Sequence, residues 1–107
     1  MPAPGTTLAD LIAETVLAHP GVVSLHGGAH GLLRSHLPGR TVLGVRGGGT
    51  EPVEVGVVLR LVAPLPSVVA ELRAAVRSVA GDVPVDITVA DVLAPGEPDA
   101  AEADGDP

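Results

Sequence analysis

The chain has no cysteine, no lysine, no phenylalanine, tryptophan or tyrosine, and a single methionine in 107 residues. Without cysteine there are no disulfides, no thiolate ligands for zinc or iron–sulfur clusters, and no thiol nucleophile. Without lysine there is no Schiff-base chemistry. Without aromatic rings there is no stacking platform for nucleic-acid bases, and the formal charge of −7 repels a phosphate backbone. No cofactor and no nucleic-acid partner are therefore expected.

What remains is aliphatic. Hydrophobic residues make up 46% of the chain, nearly all of them Val, Ala and Leu. The length suits one domain. The charge divides unevenly. Up to residue 93, eight acids face six arginines. From residue 94 onward Glu97, Asp99, Glu102, Asp104 and Asp106 meet no base. This composition predicts a flexible N-terminus over 1–6, a folded domain over 7–93, and a disordered acidic tail over 94–107, because the tail has almost nothing to bury against the entropy of ordering. The first residues lack the basic and apolar regions of a signal peptide. The most apolar stretch, 55–70, is broken by Arg60, Pro64 and Pro66, short of the roughly 20 apolar residues of a spanning helix. The expected location is cytoplasmic, without direct membrane insertion.

Periodicity gives the elements. Thr7 with Asp10 three residues on reads as a helix start, and Leu8, Leu11, Ile12, Thr15 and Val16 form a helical stripe that His19-Pro20-Gly21 ends. Residues 22–25 form a short extended run, and 26–40 carry no clear pattern. Residues 41–46 read as a strand and the glycines at 47–49 as a turn. Over 53–62 the odd positions, including Leu59 and Leu61, alternate with Glu54, Gly56, Val58, Arg60 and Val62, so the odd face is assigned to the core. Val58 and Val62 on the other side suit self-association, or cover by the first helix or the 26–40 segment. Ser67 reads as the cap of a second helix over 68–80, with Val69, Leu72, Val76 and Val79 as its stripe and Gly81 as its stop. A last strand over 83–92 follows, with Pro84 placing it at a sheet edge or at a strand start. The predicted fold class is α+β: a single two-layer αββαβ domain, a small mixed sheet with both helices on one face, and the strands around the second helix parallel.

No catalytic residues emerge, and the binding residues are unknown at this level. The candidate metal ligands are His26, His30 and His36, since imidazoles suit zinc, copper or nickel, but the surrounding glycines argue against a preformed site. A small metal- or ligand-binding protein using this loop is the alternative function. Two GXXG patterns, Gly28-Ala29-His30-Gly31 and Gly44-Val45-Arg46-Gly47, match the backbone clamp of KH domains, but the net charge is negative, lysine is absent and no aromatic ring is there to stack on a base. Ser24 near His26, and Ser35 beside His36, lack the setting of a nucleophile elbow. Asp86 and Asp91, five apart, are expected on opposite strand faces, and Glu51 and Glu54 likewise diverge.

The run VLAHPGVVSLHGG, then TVLGVR, then VEVGVVLRLVAPLPSVVAELRAAVRSVAG, then VPVDITVADV resembles the alkaline-shock protein family of bacteria. The resemblance rests on Pro20-Gly21-Val22 after the first helix, the glycine-rich stretch, the Val-rich strands, the Pro-containing break and the closing strand ending in Asp91-Val92. It covers about residues 7–93. It implies a non-enzymatic envelope stress response protein acting through protein–protein contacts with itself or paralogous chains, recruited to the membrane by an anchor protein. The short N-terminus, the absence of lysine and the acidic tail depart from the family pattern.

Overall fold

A computed structural model describes residues 7–28, 31 and 33–98. Two helices, α1 (Leu8–Leu17) and α2 (Leu65–Ala80), accompany six strands: β1 (Val22–Leu25), β2 (Arg34–Leu37), β3 (Arg40–Leu43), β4 (Val45–Gly48), β5 (Glu51–Arg60) and β6 (Val85–Leu93). This is an α+β fold. The expected helix–strand–strand–helix–strand order survives as α1, β4, β5, α2 and β6; the extended run expected over 22–25 is β1, and a β2–β3 hairpin is added.

Strand β5 is the axis. One edge pairs antiparallel with β1 along its second half (Leu25 opposite Val57, Val22 opposite Leu59) and with β4 along its first (Val45 opposite Val55). Its other edge pairs parallel with β6, so the two strands joined by α2 are adjacent. At the junction of β1 and β4, Gly56 donates to the Gly44 carbonyl and accepts from the His26 amide. Odd positions Val53, Val55, Val57 and Leu59 are fully buried, in one cluster with Val45, Val85, Ala9, Ile12 and Val16 of α1, and Val68, Leu72 and Val76 of α2. Both helices therefore cover one face of the sheet.

Several boundaries differ from expectation for physical reasons. The predicted strand over 41–46 is two strands, because Gly44 at φ +85° turns the chain between β3 and β4. A side chain there would be strained and would crowd the His26 amide nitrogen at 2.9 Å. Its first half pairs with β2 around Pro38-Gly39, and its second half joins the main sheet. Helix α2 starts at Leu65, not after Ser67. Proline is tolerated in a first helical turn, where its missing N–H has no partner to lose, so Pro66 lies inside the helix and Pro64 at its cap. The buried stripe is accordingly Val68, Leu72 and Val76, with Val69 and Val79 on its flank. Leu61 and Val62, expected at the end of the strand, lie beyond β5 and are exposed.

The capping box of α1 forms in full. Asp10 N–H donates to Thr7 Oγ1 at 3.3 Å, and Thr7 N–H donates to Asp10 Oδ2 at 2.8 Å. The same carboxylate takes the Arg40 guanidinium, with Nη2 2.6 Å from Oδ2, which ties the hairpin to the helix start. The Arg40 pairing, helped by the Thr7 amide, holds the Asp10 carboxyl well below the usual carboxylate range. Beyond β6, Ala94–Glu97 close a turn that Arg60 grips through the Ala94 and Glu97 carbonyls at 3.1 and 2.7 Å. Residues 99–107 of the acidic tail lie outside the described residues.

Candidate interaction surface

The helix-free face of the sheet is built from the even positions of β5. At its centre sits Gly56. A β-carbon there would collide with the His26 carbonyl oxygen and come within 2.8 Å of Leu33 Cδ2, so His26 and Leu33 lie on this face and Leu33 covers the glycine. Of the cover expected for Val58 and Val62, Leu33 of the 26–40 segment supplies part, over Gly56, whereas Val62 is 56% exposed. Val58 beside it is 4% exposed.

The start of the face is charged. Arg46 of β4, Glu54 of β5 and Asp86 of β6 stand side by side across three strands. Arg46 binds Glu54 Oε2 through Nε at 2.9 Å and Nη2 at 2.7 Å. With Gly47, Glu51 and Pro52 they line an open pocket of about 530 Å³. Both partners of the ion pair are about half exposed, so the pair adds little stability, but it leaves two carboxylates for one neutralised guanidinium. Glu51 and Glu54, expected to diverge, share this pocket because the ladder is irregular between Arg46 and Gly48.

A second irregularity corrects the carboxylates of β6. The register pairs Val57 with Val89 but Val58 with Asp91, so Ala90 is an extra residue in the ladder. A bulge of one residue reverses the alternation. Asp86, opposite Glu54, and Asp91, opposite Val58, therefore lie on the same face. Only the pairing partner reveals such a bulge; the five-residue spacing points the other way.

The predicted ligand residues are spread out. His26 follows β1, and its Nδ1 accepts the Gly28 amide at 2.9 Å. His36 is exposed on β2, and His30 lies outside the described residues. Among the described residues no three His, Asp or Glu side chains converge as metal ligands. Ser35 donates to the Val45 carbonyl at 2.6 Å, fastening the hairpin to β4, while His36 next to it points to the opposite side of its strand. Of the two GXXG patterns, Gly44–Gly47 lies along β4 with its arginine held by Glu54; Ala29 and His30 of the other lie outside the described residues.

His19, which the sequence marks only as part of a helix stop, joins the two helices. Its Nδ1 accepts the Gly21 amide at 2.9 Å, which leaves the proton on Nε2 to be donated to Glu71 of α2 at 2.8 Å. The signal was the Pro-Gly that follows it, since that turn brings the Gly21 amide back onto the ring.

The fold and its surface define a small two-layer α+β domain with one sheet face sealed by helices and the other covered at its centre but open and charged at the start of β5. Compared with known protein families, curated proteins and solved structures, the chain matches none. No helix among the described residues is long and apolar enough to cross a membrane.

Proposed function

We propose that this chain is a non-enzymatic interaction module of the alkaline-shock type, serving the bacterial envelope stress response through contacts with itself or paralogous chains. It reaches the membrane from the cytoplasm through an anchored partner. The observation that supports this reading is the asymmetry of the sheet. Two helices seal one face with aliphatic side chains, while the start of the other presents an open charged surface that reaches β6, whose far edge is unpaired by any described strand. Such a surface suits contact with another chain better than enclosure of a small substrate. Affinity capture of the tagged full chain from its native host, followed by mass spectrometry, tests it. Recovery of a related small chain together with a membrane-anchored protein is expected. Recovery of neither, combined with unaltered growth of a deletion strain under alkaline and envelope stress, would overturn it.

A further inference from the structure

Strand β6 pairs with β5 on one side, and no other described strand pairs with it. The direction of its main-chain groups follows from two bonds. Val53 N–H donates to the Pro84 carbonyl, so position 84 faces β5. The Val85 carbonyl accepts from the Arg73 side chain of α2 at 3.1 Å, so position 85 faces away. Alternation then directs the N–H and C=O of Ile87 and Val89 outward. Both ends of this outer edge are occupied. Arg73 holds the Val85 carbonyl, and Asp91 Oδ1 accepts the Val92 amide at 2.9 Å, a group freed by the bulge at Ala90. Between the two plugs lies a window of two donors and two acceptors with no hydrogen-bond partner among the described residues.

We infer that this window receives an extended segment of a partner protein carrying Arg or Lys at alternate positions, which adds to the sheet beside β6. The inference rests on the interaction-module reading and narrows it at this edge to a partner chain other than a second copy. Charge selects the occupant. Asp86 and Asp91 flank the window on the open face, Glu54 stands beside Asp86, and the sequence after β6 continues with five acids and no base. A second copy of this chain pairing β6 to β6 would bring a second set of these carboxylates onto the same face, where like charges across strands oppose pairing. A basic strand meets the opposite condition. On the helix side Arg73 and Arg77 hold the Val85 and Val83 carbonyls, so the segment's side chains there are small or acidic. Main-chain bonds would supply affinity, and the alternating side chains would set specificity.

The test uses the full chain and two labelled eight-residue peptides, alternating Lys-Thr and alternating Glu-Thr, read by fluorescence anisotropy and by amide hydrogen exchange. The Lys-Thr peptide should bind and slow exchange at Ile87 and Val89, and the Glu-Thr peptide should not bind. Binding should weaken by about tenfold or more in the Asp86→Asn, Asp91→Asn double variant, whose exposed side chains are not part of the core, and fall with added salt. Three outcomes overturn the inference. The peptide binds without slowing Ile87 and Val89, which is charge attraction alone. These amides are already as protected as those of β5 in the free monomer. Or their protection rises with protein concentration alongside self-association, which makes a second copy the occupant. If the double variant still captures its partners from the host, the interaction-module reading stands and the β6 edge is not its contact.

Discussion

The two faces of β5 are made from neighbouring residues of one strand, yet they solve different problems. On the helix side Val53, Val55, Val57 and Leu59 have no exposure and all do the same work of filling the core. On the other side no two positions do the same thing. Glu54 makes an ion pair, Gly56 allows a close backbone approach, Val58 makes a buried contact, and Arg60 grips the turn after β6. The helix face is more permissive, since aliphatic swaps that conserve volume and packing can fill it. The open face is specific, since each position answers to a particular neighbour. A core built without aromatic rings depends on close fit, because each buried Val or Leu contributes only about 1.5–3 kcal/mol.

The largest expected effect tests the helix face. Leu59→Ala removes a fully buried side chain between β5 and the helices and should cost about 2–5 kcal/mol, read as a lower denaturant midpoint with unchanged slope. The next tests the open face. Gly56→Ala adds only one carbon but drives it into the His26 carbonyl, so His26 and Leu33 must shift. A loss of about 1–3 kcal/mol is expected, with amide shifts concentrated at residues 26–28 and 44. If Gly56→Ala is silent, the cover of the open face is not a fixed part of the fold.

A smaller, pH-dependent effect separates the sheet from its hairpin. Because the folded Asp10 carboxyl is held below its unfolded value, near 3.9 for a free Asp, its contribution is complete above about pH 5. It is lost as the pH falls through the acid range, when protonation releases Arg40. Asp10→Asn should therefore flatten the stability profile between about pH 5 and pH 2 relative to the parent, leaving slopes above that range alike. Parallel profiles would mean that the hairpin is held by other contacts, such as Ser35 on the Val45 carbonyl.

Much of this was legible because period and punctuation are local. Alternation along Val53–Leu59 located the core face, Thr7 and Asp10 the helix start, and Gly81 the helix stop. The parallel direction of β5 and β6 followed from α2 crossing between them, while their adjacency did not. The parts that escaped depend on partners distant in sequence. The bulge at Ala90 exists only relative to β5, the pocket needs β4 and β6 on either side of β5, and the edge window needs Arg73. Gly44 did carry a warning, as a glycine inside a strand pattern often marks a break. The start of α2 was misplaced because Pro66 reads as a breaker anywhere except in a first turn.

The smallest effect expected sharpens the comparison most. Leu61 continues the odd-numbered series after Leu59, and alternation alone assigns both to the core. Yet Leu59 has no exposure and Leu61 has 48%. The boundary falls where β5 ends at Arg60 and the chain turns toward Pro64 and the start of α2; the Leu61 amide still reaches the Leu93 carbonyl, but no helix lies above it. Leu61→Ser should therefore change the denaturant midpoint by no more than about 0.5 kcal/mol in free energy, as for other exposed positions. A loss approaching that of Leu59→Ala would place a covering group over the end of the strand, and the sealed face would then extend to the sheet's last residue.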